Sequence, residues 1–262
     1  MPTALQQPNY AYFYPMIKVI SLIFIVCLFA SCKKESEVYQ TPAINDYAPL
    51  KVGGYITYSL DSLVYINFGT AVAHRLYEVK YLTADSLTDI LGRKAFRIVR
   101  YIRTLPSGTF TPDNTFLAVN TGTGFEFTEN NLRYLKLVQP IQEGKTWKGN
   151  SAIDVTSLGS DQQYLFDWDY TYNEVGVPKT IGGLPFASTL TVSQRDESFN
   201  LPVLLPGPGV SNPTNIASRD FSREIYAKGV GMVYREFLHF EYQLAFNGYV
   251  GYGITLTVKD YK

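Results

Sequence analysis

From residue 55 onward, apolar and polar side chains alternate with a period of two, and no stretch holds a 3.6-residue period over three turns. Successive side chains of a strand point to opposite faces, so this pattern describes strands with one dry and one wet side. Residues 55–68 (YITYSLDSLVYINF) set Tyr58, Leu60, Val64, Ile66 and Phe68 on one face. Residues 74–81 and 94–103 flank the turn-rich stretch 88–92. Residues 115–120 and 125–128 flank Thr121-Gly-Thr-Gly124, and Glu129-Asn-Asn131 turns into 132–138. Near the end, 232–242 and 249–258 flank Asn247-Gly248, a pair that tolerates positive φ and gives a strong hairpin signal. The expected fold class is all-β: an antiparallel curved sheet, half-barrel or sandwich, with little helix.

Composition agrees, since the 21 Tyr and 16 Phe suit a pleated, half-buried surface. Three stretches depart from the alternation. Residues 218–226 (SRDFSREIY) are the best candidate for one or two helical turns. Residues 173–187 and 201–217 read as long irregular loops, and loops of that length are commonly functional. The second carries Pro202, Pro206, Pro208 and Pro213 among Val and Leu, so it reads as a semi-rigid flap and a first place to seek a ligand. A faint echo links Pro49–Ile56 with Pro140–Trp147: Pro, aliphatic, two residues, Gly, two residues, large apolar. Each reads as a turn feeding a strand.

The amino-terminal stretch has a different logic. Residues 19–30 (VISLIFIVCLFA) are apolar or small, too few for a membrane span of about 20 residues, and suited to the core of an export signal. Lys18 is the positive flank, and Ala30 and Ser31 are the small residues before a cut. Met16 opens a well-formed signal, whereas residues 1–15 carry no charge and hold Lys18 far from the terminus. Residues 1–15 are therefore read as translation upstream of the start, and 16–31 as a signal peptide.

Leu28-Phe29-Ala30-Ser31-Cys32, followed by Lys33-Lys34-Glu35, resembles the lipobox of Gram-negative bacterial lipoproteins. That resemblance implies cleavage between Ser31 and Cys32, a diacylglyceryl group on the Cys32 thiol, and acylation of the new amino group. One fatty chain holds a protein to a bilayer only marginally, with K of roughly 10⁴ M⁻¹, whereas two or more hold it durably. Both cysteines of the chain are then accounted for: Cys27 leaves with the signal, and Cys32 becomes a thioether. No disulfide remains available. Residues 32–47 are read as the lipidated cysteine and a flexible tether, and 48–262 as a single β-rich domain. The expected location is the outer membrane, on its periplasmic or surface face.

Candidate chemistry is sparse. In residues 164–172 (YLFDWDYTY), Tyr164, Phe166, Trp168, Tyr170 and Tyr172 alternate with Leu165, Asp167, Asp169 and Thr171. As one strand they form a row of five aromatics, which is either a platform or pocket lining for a ligand or the core face of a sheet. Asp167, Asp169, Asn173 and Glu174 on the other side fail the EF-hand pattern, because Thr171 takes the third ligand place and Tyr172 replaces Gly. Lys228-Gly-Val-Gly231 lacks the third glycine and the helix of a nucleotide loop, and reads as a turn or bulge. The two histidines, His74 and His239, have no Cys or His cluster about them, so no metal site is expected. His239 and Glu241 share a strand face, yet rim positions explain both. No G-x-S-x-G turn occurs.

Lys18 is the only charged residue before Cys32, which leaves 22 basic against 23 acidic side chains and gives no drive toward nucleic acid. The expectation is a membrane-anchored, non-enzymatic binding or interaction module for an apolar or glycan ligand, with no catalytic residues and no cofactor. At the level of architecture alone, a curved sheet resembles the half-barrels of lipoprotein carriers. The alternatives are a carbohydrate-active or other carboxylate-dependent hydrolase, whose acids a sheet would bring together, and a subunit that meets an envelope protein.

Overall fold

The computed structural model describes residues 41–157, 162–200, 213–245 and 247–262. The signal segment, Ser31, Cys32 and residues 201–212 of the Pro-rich stretch lie outside the described residues. Thr41–Lys262 form one compact unit. It holds a short helix α1 (Ile44–Tyr47) and the strands β1 (Tyr55–Ile66), β2 (Ala71–Thr88), β3 (Lys94–Thr104), β4 (Thr111–Asn120), β5 (Gly124–Glu129) and β6 (Leu132–Val138). These are followed by β7 (Thr146–Trp147), β8 (Tyr170–Ile181), β9 (Leu184–Phe199), β10 (Ala217–Ala227), β11 (Gly231–Gln243) and β12 (Gly248–Tyr261).

All described strands join one antiparallel sheet in the order β6-β5-β4-β3-β2-β1-β12-β11-β10-β9-β8-β7, which curls into a nearly closed barrel. The fold is all-β. Neighbours in the sheet are neighbours in the chain, except that β1 pairs with β12 from Ile56↔Tyr261 to Val64↔Tyr252. The two edge strands, β6 and β7, are consecutive in sequence. Where they meet, a few specific bonds replace a ladder. Leu135 N donates to Gly149 O at 2.8 Å, and Trp147 Nε1 donates to Leu135 O at 2.8 Å. The Tyr172 hydroxyl donates to Val138 O at 2.8 Å and accepts from Val138 N at 2.7 Å.

One end of the barrel, the near end, carries residue 41, α1, the start of β1 and the β2–β3, β8–β9 and β10–β11 turns. The far end carries the β1–β2, β9–β10 and β11–β12 connections and the excursion between β7 and β8. That excursion folds inward: Ile153, Leu165 and Trp168 join the main core with Phe116, Leu137, Leu190 and Phe237. At the near end, α1 departs from the expected tether through Tyr47. Ile44 and Tyr47 are buried, Gly229 N donates to Asp46 O at 2.6 Å, and the Tyr47 and Ser188 hydroxyls lie 2.9 Å apart. The two apolar side chains of this single turn bury what a solvated linker would expose.

Two further expectations are corrected. Residues 218–226 are strand β10, not helical turns, because their backbone is paired on both sides, by β9 and β11. Residues 173–187 are the β8–β9 hairpin, not an irregular loop. Their polar, Gly-rich composition reflects a mostly exposed hairpin with a Gly182-Gly183 tip, both at positive φ. That tip rests on β12: a Cβ built on Gly182 falls 2.0 Å from Val258 O. The variant Gly182→Ala is therefore expected to lose roughly 1–3 kcal/mol or more, since strained backbone and a steric clash add. Thermal unfolding measures it. The echoed segments at Pro49 and Pro140 both turn at the near end on a positive-φ glycine, Gly53 and Gly144, and feed β1 and β7.

Candidate functional site

Inward residues of β1, β2, β3, β5 and β11 do not meet at the barrel centre near its mouth. They leave a cavity of about 360 Å³. Its walls are apolar and aromatic: Ile56, Tyr58, Tyr81, Ile98, Phe127 and Met232. Tyr58 and Tyr81 meet edge to face at 5.2 Å, and the Tyr58 hydroxyl is spent on Met232 O at 2.8 Å. The rim is formed by the exposed Lys51, Gly229 and Lys262 at the near end.

Opposite the rim the lining changes character. Lys136 Nζ and Glu224 Oε1 lie 2.6 Å apart, with side chains only 6% and 0% exposed. The Tyr226 hydroxyl donates to Glu224 Oε2 at 2.7 Å. Arg235 Nη1 pairs with Glu129 Oε2 at 2.8 Å, while its Nε stands 3.7 Å from Glu224 Oε1 without a hydrogen-bond partner. Two cations and two carboxylates thus balance inside the barrel. Burial alone pushes the Glu224 carboxyl up, but the Lys136 ammonium and the Arg235 guanidinium outweigh it, and the net shift is downward. Glu129 behaves the same way, with Arg235 as its main counter-charge. Burial raises Tyr58, Tyr170 and Tyr226 well above the ordinary phenol value and Tyr81 to about 12, so these rings remain neutral donors.

Sequence reasoning passed over all four charges. Each sits on a strand, where a lone Lys or Glu looks like part of a wet face. The available signal was position. Arg235 lies two residues from Phe237 and Glu224 two from Tyr226, so each shares its neighbour's face. Lys136 is harder to read, because it is the extra residue of a bulge: Phe125 pairs with Leu137 and Glu126 with Leu135, which leaves Lys136 between them.

The five aromatics of residues 164–172 do not form one row. Tyr164 and Leu165 lie in a 3-10 turn (Gln163–Leu165), Asp167 has φ of 58°, and the strand begins only at Tyr170. Trp168, Tyr170 and Tyr172 are buried in the main core, while Phe166 is exposed. The Trp168 indole donates to Tyr164 O at 2.7 Å, and the Tyr170 hydroxyl donates to Asn150 Oδ1 at 2.8 Å. Tyr172 packs on Trp147, with ring centroids 4.5 Å apart. None of the five lines the cavity. Asp167 and Asp169 are bridged by a lysine: Lys148 Nζ lies 2.5 Å and 2.9 Å from them.

His239 does not pair with Glu241. Its Nδ1 meets Asp220 Oδ1 at 2.7 Å, and its ring stacks on Tyr164 at 4.0 Å. Glu241 accepts from Gln243 instead. His74 holds Asp61 at 2.9 Å on the exposed wall. Gly229 and Gly231 both take positive φ in the β10–β11 turn, as a tight turn at the cavity rim requires.

The geometry can bury an apolar body against rings and aliphatics. Set against protein-family models, curated proteins and solved structures, the chain matches none of them.

Proposed function

We propose that this chain is a lipid-anchored protein of the cell envelope that holds a small, largely apolar ligand inside its barrel and does not transform it. The cavity carries this reading. A space of about 360 Å³ falls within the size range of small-molecule sites and has room for about a dozen atoms at about 30 Å³ each. Its rings and aliphatics reward an apolar body by roughly 25 cal/mol per Å² removed from water. The charges at its inner end neutralise one another, so a second full charge gains nothing there. The anchor rests on the lipobox resemblance around Cys32.

The alternatives have less behind them. A glycan platform needs exposed ring faces, and four of the five aromatics proposed for it pack against other side chains. A carboxylate hydrolase needs one acid that keeps its proton near neutral pH. Glu224 and Glu129 are both driven the other way by the cations they face.

Native mass spectrometry of the full lipidated chain, released from detergent, is expected to show a co-purified amphiphile. Met232→Trp fills the cavity and is expected to abolish that adduct while leaving the melting temperature near that of the parent. A bare parent mass, together with no uptake of any single-chain amphiphile from a panel, would sink the proposal. Separately, intact-mass analysis should find the mass of a chain beginning at Cys32 plus one diacylglyceryl group and one acyl chain, and Cys32→Ala should lose that added mass.

A further inference from the structure

The β2–β3 turn spends its hydrogen bonds on holding two aliphatic side chains in water. Asp89 Oδ1 accepts from Leu91 N at 2.9 Å and from Arg93 N at 2.8 Å, and Asp89 N donates to Arg93 O at 2.9 Å. Arg93 is clamped in turn by Glu126, with both Nη atoms 2.9 Å from its carboxylate oxygens. On this fixed scaffold Ile90 is 102% exposed and Leu91 61% exposed. Neither touches the core. Val52, in the turn ahead of β1 at the same end, is 49% exposed.

The same end carries the exposed cations Lys51, Lys94, Lys228 and Lys262 beside the exposed acids Glu143 and Asp260, with Asp46 lying 3.7 Å from Lys228. It is also the end from which the chain leaves toward Cys32. Thr41 and Pro42 are tied to Gln139, just past β6, by bonds of 3.4 Å and 2.9 Å. Only residues 33–40 separate Thr41 from Cys32, and eight residues reach at most about 30 Å. Exposed apolar tips occur at the far end too, at Phe68, Phe199 and Leu244. Strand β1 alone runs roughly 30 Å along the barrel axis after tilt, so the link would have to lie straight along the wall to bring those tips to a bilayer.

We propose that the near end is a bilayer-docking face: Ile90 and Leu91 enter the acyl boundary, the lysines meet anionic headgroups, and the cavity mouth exchanges its ligand with the lipid phase. This rests on the anchored binding-protein reading, and it adds the source of the ligand and the side that faces it. Aliphatic tips flanked by lysines are the chemistry of an interfacial contact.

Single cysteines placed by Ile90→Cys and Phe68→Cys test it, because the mature chain holds no other free thiol on that reading. Each variant of the full lipidated chain carries an environment-sensitive fluorophore and is reconstituted in vesicles of phosphatidylglycerol and phosphatidylcholine with doxyl-labelled lipid. The Ile90 label should be quenched strongly and the Phe68 label left unchanged, and raising the salt should weaken the Ile90 quenching. Quenching at Phe68, or at neither site, overturns the docking face. Failure of the chain to float with vesicles overturns it together with the anchor. Ligand retention in detergent, measured on the same samples, reports the cavity without a bilayer, so loss of docking and loss of binding are read apart.

Discussion

Glu224→Leu should unfold the barrel far below its normal melting temperature. The substitution leaves the Lys136 amine, 6% exposed and already pulled to a lower pKa by burial, without its nearest carboxylate, and it removes the Glu224 charge that faces Arg235 Nε. Breaking a buried pair by deleting one partner costs about 3–5 kcal/mol, which for a domain of this size lowers Tm by roughly 6–20 °C. The double variant Lys136→Met/Glu224→Leu removes both charges and leaves the Arg235–Glu129 pair intact, so it should regain most of that loss. Circular-dichroism melts of the two variants against the parent decide the matter; a double variant no better than the single one would show that packing, not charge, is at stake. The same pair predicts acid sensitivity. Glu224 has a lower pKa folded than unfolded, so the unfolded chain binds more protons as pH falls. The stabilisation is complete above the ordinary carboxylate value of 4.5 and drains away as pH drops through the depressed folded value.

The second large effect is expected at the β6/β7 seam. Tyr172 is fully buried, and its hydroxyl serves both the N–H and the C=O of Val138, while its ring packs on Trp147. Tyr172→Phe deletes both hydrogen bonds and keeps the ring, so it should cost about 1–3 kcal/mol. Tyr172→Ala removes the ring as well and should cost about 3–5 kcal/mol. The two separate a local loosening from a core defect. For Tyr172→Phe, hydrogen exchange should quicken at the Leu135 and Val138 amides while the β1–β12 ladder keeps its protection. Uniform loss of protection across the sheet would show that the seam has no independent stability.

Sequence patterning predicted the hairpins well, because turn chemistry and alternation agree there. Asn247 adopts φ of 54° ahead of β12, and Asn130 and Asn131 take positive φ between β5 and β6. Patterning failed where one residue breaks a run that otherwise looks continuous. Asp167 at positive φ cuts the stretch from Tyr164 to Tyr172, and nothing in an alternating sequence announces such a turn. It failed again at 218–226, where the charges Arg219, Asp220, Arg223 and Glu224 resemble a helix face. In the sheet they divide between Arg223–Glu236 on the outer wall and Glu224 within. The cavity itself was illegible, because its lining runs from Tyr55 on β1 to Tyr261 on β12, at opposite ends of the domain's sequence, and one of its charges sits on a bulge.

The pairing of β1 with β12 sets how such a chain must be assembled. Residues 55–138 and 146–261 are each runs of adjacent hairpins, with partners close in sequence. The bonds that weld these two half-sheets, Tyr55 N to Lys262 O at 3.1 Å and Lys262 N to Tyr55 O at 2.9 Å among them, close a loop of nearly the whole domain. Local meanders can zip quickly, whereas the weld has to wait for the chain's extremities to find one another, an entropic delay that slows high-contact-order proteins. A circular permutant opened between β6 and β7, with residue 262 joined by a linker to residue 41 so that α1 is kept, would bring the two sides of that weld close in sequence and should fold faster than the parent in stopped-flow refolding.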